Sequence, residues 1–411
     1  MKNNKEIIKL LDYKDMDKGL DIVNKNKVKQ AKEEIKKTRL NKTKIESTNI
    51  SRNLKLLFFI FVIMILVLIV FFIYKYSIYF GYFLNEDKRI SLNEEFISND
   101  NEYIKYNNEI LMYNNEKIMT INSNGKKTFE KTFEIPFMPD IYVNDKYMAI
   151  VNKSTSSITM YSNKREISVI KIDGVISEVY VQKNGNIVTV YSKGGYKKIL
   201  SIKDIYGREL YTIYLDNEVI TDVILFENNK KMIIVELDTS SITIGTKIKY
   251  VNLETDEKVT DLKTFDNKLV VDVIKKQDNI YLVFNDEILK YNYTNNTYDV
   301  LYDLNSTQTN YVNLRESYYS LIETLETTNL RVINFNNKEI SKIKLEYIPY
   351  KFLTSKFLNY VVYDKEIQII NKWGKKIKEI SVNYVPNEVL LLNEGKTLVL
   401  IYSNNIDIID I

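Results

Sequence analysis

The stretch "EIQIINKWGKKIKEISV", residues 366–382, decides the reading of this chain. Apolar and polar residues alternate from Glu366, break at a polar turn containing Gly374, and alternate again to Val382. That is the grammar of a β-hairpin: period-two strands around a turn whose glycine accepts a backbone conformation that other residues resist. The same grammar recurs as "KIMTINSNGKKTFEKTFEI" from Lys117, "SITMYSNKREISVIKI" from Ser157 and "KILSIKDIYGRELYTIYL" from Lys198. It continues as "KIKYVNLETDEKVTDLKTF" from Lys247, "EILKYNYTNNTYDVLYDL" from Glu287 and "NLRVINFNNKEISKIKL" from Asn329. A last half-unit, "NIDIIDI", starts at Asn405. Successive starts lie 40, 41, 49, 40, 42, 37 and 39 residues apart.

The intervals are filled as regularly. "DIYVNDKYMAIVN", "EVYVQKNGNIVTVYS", "DVILFENNKKMIIVELD", "DVIKKQDNIYLVFN" and "EVLLLNEGKTLVLIYS" each read as an apolar strand, a short polar turn and a second apolar strand. Each period therefore carries four antiparallel strands, the signature of a β-propeller blade. One such blade cannot bury both faces by itself, whereas blades packed around an axis cover one another and leave only short edges. Seven complete outer hairpins precede "NIDIIDI", which lacks an outer strand of its own. "KRISLNEEFIS", residues 88–98, is the donor that would close the ring. The expectation is an all-β propeller of eight blades, or of seven if a terminal unit is degenerate.

Ahead of the repeats stands "LKLLFFIFVIMILVLIVFFIYKY", residues 54–76. The uncharged run 56–74 would extend about 28 Å as a helix, close to the roughly 30 Å hydrocarbon core of a bilayer. It has no polar stripe, unlike a helix buried in a core. It lies too far along the chain, and is followed by the wrong residues, for a cleaved signal peptide. Tyr74, Tyr76, Tyr79 and Tyr82 fit an interfacial aromatic belt. Residues 1–55 hold sixteen Lys and Arg against eight Asp and Glu, so the positive-inside bias retains them in the cytoplasm. The expected organisation is a basic cytoplasmic tail over 1–53, a transmembrane helix over 54–76, a juxtamembrane linker over 77–87 and an extracytoplasmic propeller over 88–411 at the plasma membrane. For the tail, the reading is short helices or a disordered, topology-setting segment. The outer part carries a mild acidic excess, which argues against nucleic-acid binding.

Composition removes whole classes of chemistry. The chain has no Cys and no His. Disulfide frameworks, thiolate nucleophiles, imidazole metal ligation and Ser-His-Asp hydrolysis are therefore excluded. Its 11 glycines form no phosphate-cradling or nucleophile-elbow motif. "ETDEKVTDLKTFDN" lacks the alternating ligands and central glycine of a calcium loop and reads as a solvated turn and strand. Abundant Lys, Asn, Ile and Tyr point to an AT-rich bacterial genome, so 32 tyrosines need not mark a binding surface.

In "KIMTINSNGKK" and "EIQIINKWGKK" the strand–turn–Gly–Lys pattern resembles PQQ-like repeats. The chain as a whole is similar to membrane-anchored PQQ-like and WD40-like propellers of unknown function from low-GC Gram-positive bacteria. It departs from both patterns: Trp373 is its single tryptophan, where PQQ proteins repeat docking tryptophans, and the Trp-Asp and Gly-His pairs of WD40 repeats are missing. Trp373 is accordingly expected to pack rather than dock a cofactor. No catalytic, cofactor-binding or metal-binding residue is nominated, and no cofactor is expected.

The expected function is a non-catalytic protein-binding or scaffold module of the cell envelope, held by the bilayer through 54–76 and engaging an envelope protein. Two alternatives stand beside it. One is an envelope sensor coupled to the cytoplasmic tail. The other is a carboxylate-based enzyme using the channel, for which Asp222 and Asp272 on first strands are the residues to inspect. The longest repeat interval places an enlarged loop, "TSSITIGT" over 239–246, as a partner contact or a tolerated insertion.

Overall fold

The computed structural model describes residues 22–80, 88–92, 100–215, 219–227, 230–239, 242–255, 259–305, 308–315 and 317–411. The chain divides into two compact units between Tyr76 and Ser77.

The first unit is dominated by one continuous α-helix, Ile22–Phe80. Within it Leu56–Ile73 has a mean hydropathy of 3.7, and none of that window is buried by protein. Eighteen residues at about 1.5 Å each give about 27 Å, enough to cross a hydrocarbon core by length and composition. Where short helices or disorder were expected between residues 22 and 53, the helix runs unbroken. The physical reason is the absence of Gly and Pro over that stretch, together with abundant Lys supported by Glu and Arg, all good helix formers.

The second unit is a ring of eight four-stranded antiparallel sheets. Blades one to seven occupy 102–132, 140–171, 175–215, 219–265, 270–303, 308–344 and 351–381, each with its strands in chain order. Blade eight takes its three inner strands from 388–410 and its outer strand from Arg89–Leu92. The register of that closure is Arg89 opposite Ile409, Ile90 opposite Ile408, Ser91 opposite Asp407 and Leu92 opposite Ile406. Eight blades, closed by pairing the first and last strands of the ring, are thus as expected. The paired part is Arg89–Leu92, and the rest of the expected strand, 93–98, lies outside the described residues.

Alternation explains the packing. In each blade the second strand is mostly buried, the third is buried or partly buried, and the outer strand faces solvent most. Apolar layers then form between neighbouring blades. Val188, Val190 and Leu200 of blade three pack with Val223, Met232 and Ile234 of blade four. Leu92, Leu392, Val399 and Ile408 of blade eight pack with Ile110, Met112 and Met119 of blade one. Polar staples cross other seams between neighbouring blades. Tyr106 donates its hydroxyl to the Lys146 carbonyl at 2.9 Å, Asn144 donates to the Val181 carbonyl at 2.7 Å, and Tyr318 donates to the Ser355 carbonyl at 2.7 Å.

The glycine-containing turns seen in the sequence have a specific chemistry. Asn122, Asp204, Asn334 and Asn371 each accept two backbone N–H bonds, from the residues two and four positions later, at 2.9–3.1 Å. The residue between those donors sits in the left-handed region: Gly125 at φ 74°, Gly207 at 85°, Asn337 at 58° and Gly374 at 92°. Glycine and asparagine are the residues that adopt this conformation at least cost.

Candidate functional site: the central channel

The first strand of each blade is the innermost, and these strands neighbour one another around the axis. They line two adjoining cavities. One, of about 890 Å³, is walled by blades two to five; the other, of about 1170 Å³, is walled by blades five to eight and blade one. Ile274 and Lys275 of blade five border both.

The entrance at the start of the innermost strands is acidic. Glu102, Asp140, Glu178, Asp222, Asp272 and Glu388 occupy one register position in six blades, each just before an apolar residue that turns toward the blade interface. Tyr311 and Lys351 take that position in blades six and seven. In blades three to six the register shifts just before it, marking a β-bulge that adds one residue. Two of the extra residues bond across the blade: Ser177 to the Val190 carbonyl and Thr221 to the Val235 carbonyl, both at 3.0 Å.

The acids sense their surroundings and one another. Burial pushes the Asp222 carboxyl above its ordinary range, and the charge of Asp272 adds to this, while the Val223 N–H bond pulls the other way. Asp272 is raised for the same first reason; it touches channel solvent yet is crowded by protein, and the Val273 N–H and Arg315 oppose the rise. Glu388 is raised by burial and by Glu102, with Lys351 opposing. Tyr142 is pushed up to about 12, by burial first and then by Glu178 and Asp140.

The opposite end is basic. Lys105, Lys275, Lys276, Arg315 and Lys356 line the larger cavity, with Glu394 the one carboxylate among the described lining residues. Arg315 donates from Nε to the Thr354 hydroxyl at 2.5 Å, and from Nη2 to the Thr354 carbonyl. Burial lowers the Lys105 ammonium below its usual range, and the neighbouring Arg315 charge lowers it further. Lys275 donates to the Gln277 carbonyl at 2.7 Å and lies 4.3 Å from the Phe226 ring centroid.

Asp222 and Asp272 therefore do lie near the axis, as their place on first strands implied, but they belong to a ring. Among the described residues no group of three or more acids is arranged to hold a metal ion. Trp373 is half-exposed at its turn and stacks on Phe357 at 6.1 Å between centroids, with the Lys372 ammonium 4.9 Å from each ring. Of the expected loop 239–246, Gly245 and Thr246 are paired as strand with Asp238 and Leu237. Ser240 and Ser241 lie outside the described residues, and Ile242 is fully exposed.

Sequence reasoning missed the acidic ring although its signal was present. Four of the strand pairs quoted for their apolar character begin with Asp or Glu just before the apolar run, and the fifth, "EVYVQ", does likewise.

The family model described as "Family of unknown function (DUF5711)" matches residues 85–411, and the chain belongs to that family. Among solved structures, the chain is similar to the C-terminal WD40 domain of Sif2, with TM-score 0.52 and 9% identity over 80% of this chain and 99% of that one. It is also similar to a eukaryotic initiation factor, with TM-score 0.50 and 7% identity over 73% and 80%. BamB from Moraxella catarrhalis aligns with TM-score 0.48 and 9% identity over 79% and 100%. At such identities the first two likenesses concern the fold alone. Comparison with curated proteins finds no match.

Proposed function

We propose that this member of the DUF5711 family is a membrane-anchored, extracytoplasmic propeller that acts as a non-catalytic protein-binding scaffold of the cell envelope. The observation that carries the reading is Leu56–Ile73, eighteen apolar helical residues with no protein cover, followed in the chain by a closed ring. Water is a poor solvent for that surface and a bilayer is a good one. The basic excess before the helix supports an inward N-terminus. A propeller presents broad, rigid rims of turns, and function on such scaffolds resides in those turns. The exposed apolar residues Ile242 and Ile244 in the longest second-to-third-strand link are the first rim site to test for partner contact.

Protease added to intact protoplasts is expected to digest the ring and spare an N-terminal tag. Protection of the ring would overturn the orientation. Crosslinking in living cells is expected to capture a protein partner, and that capture should weaken when 239–244 is shortened. An unchanged set of partners after the deletion would remove this link from the interface.

A further inference from the structure

We propose that the basic end of the channel is a binding site for a small polyanion carrying several phosphate or carboxylate groups, held by Lys105 and Arg315. This goes beyond the scaffold reading and does not depend on the anchor or its orientation.

Among the described residues, five cationic side chains and one carboxylate line a cavity of about 1170 Å³, so its described lining is predominantly basic. Among the described residues, none of the five cations has a carboxylate within salt-bridge distance. Elsewhere in the ring lysines are commonly paired: Lys268 with Asp286 and Glu287, Lys164 with Glu109, Lys131 with Glu166. The unpaired group is gathered on blades one, five, six and seven, at one end of the channel.

Geometry then separates the holders from the flanks. Lys275 is engaged by the Gln277 carbonyl and the Phe226 ring, and Lys276 lies 5.4 Å from the Phe335 centroid. Lys105 is solvent-accessible within the cavity, and Arg315 is near enough to depress its proton affinity. The acids that Lys105 senses are Glu394 and Asp145, and Arg315 senses Asp272. A guanidinium has five N–H donors in a planar fork. Two of those of Arg315 are held by Thr354, which fixes the fork and leaves three donors free. A pre-set guanidinium beside a free ammonium is the arrangement that phosphate and carboxylate oxygens recognise. Like charges crowded without a directly paired counter-ion repel, and a bound polyanion would relieve that repulsion.

The test uses the full chain in detergent micelles, titrated calorimetrically with sodium tripolyphosphate and, separately, with citrate. Saturable binding of one equivalent is expected, weakening as salt rises from about 50 to about 300 mM because the attraction is screened. Preference for tripolyphosphate assigns a phosphate ligand, and preference for citrate assigns a carboxylate one. The K105Q/R315Q variant is expected to bind at least about tenfold more weakly, having lost two charge-assisted contacts. K105Q alone leaves the Thr354 bonds in place, so it should bind more weakly than the parent with an unchanged circular-dichroism spectrum. Absence of saturable heat with both anions, or unchanged affinity in K105Q, would overturn the site. Either failure leaves the scaffold reading standing, because that reading is judged by protease access and crosslinking.

Discussion

Blades four and eight bury a charged side chain at the same register position of their third strands. In blade four it is Lys249, opposite Ile234, and in blade eight it is Asp407, opposite Leu400. Lys249 is 6% exposed and pairs at 2.8 Å with Glu236 of the adjacent second strand. Asp407 is 1% exposed and turns the other way, toward the outer strand. It accepts from Arg89 Nε at 3.1 Å and from the Ser91 hydroxyl at 2.6 Å, with Asn405 adding a bond at 3.1 Å. The outer strand of blade four, Thr260–Phe265, is tied to its neighbour by the chain itself. That of blade eight, Arg89–Leu92, is four residues long and reaches its partner from more than three hundred residues away. A short strand recruited from so far has little ladder to set its register, and a buried carboxylate bonded to two of its four residues supplies it.

The most severe way to break this comparison is to delete residues 88–92. Blade eight then loses Leu92 and Ile90 from its apolar layer and exposes the edge Ile406–Asp410. A loss of about 3–6 kcal/mol is expected from two apolar side chains at about 1.5–3 kcal/mol each. Chemical denaturation should record it, and light scattering should record association through the open edge. Melting like the parent would mean that the strand closes nothing.

Single substitutions separate the two buried charges. Lys249→Ala leaves Glu236 buried without its ammonium and is expected to cost about 3 kcal/mol in denaturant, with no selective loosening of Thr260–Phe265. Asp407→Ala is expected to cost about 2 kcal/mol through lost hydrogen bonds to a charged acceptor. It should also accelerate hydrogen exchange in 89–92 ahead of the rest of the ring. Equal exchange throughout would show that Asp407 stabilises the blade without specifying the outer strand.

The smallest effect concerns the acids at the head of the same two blades. Burial raises the carboxyl of Asp222 in blade four and of Glu388 in blade eight. A carboxyl raised in the folded state contributes stability below the unfolded value, near about pH 4, and loses it as pH rises through the folded value. Asp222→Asn should therefore raise Tm by about a degree at pH 7 and leave it unchanged near about pH 3. Glu388→Gln should gain less, since Lys351 beside Glu388 already opposes the rise. A gain at low pH in either variant would assign the effect to packing rather than charge.

How far the molecule was legible varies by residue. Ile367, Ile369 and Ile370 announce a buried third strand by alternation, and Gly374 with Asn371 announces the turn, because both are properties of a few consecutive residues. The apolar run from Leu56 was equally plain. The unbroken helix ahead of it was not, because its residues have helix propensity without an apolar face to confirm it. The acids heading the first strands were visible one at a time, but single carboxylates beside strands are ordinary solvated groups. Lys105 and Arg315 gave no signal at all, being more than two hundred residues apart in otherwise unremarkable strands.

By itself, then, the order of residues determined the four-strand period, a ring of eight or seven blades, the donor strand for closure and the apolar helix, since each depends on local alternation or hydropathy. Tertiary structure alone decided that six acids share one register position, that Asp407 bonds Arg89 and Ser91 of the closing strand, and that Lys105 and Arg315 face one cavity whose described lining is mostly basic. Those facts depend on where the ring places each blade about its axis. That placement arises from packing between blades and from the meeting of the two chain ends, neither of which any short window of sequence contains.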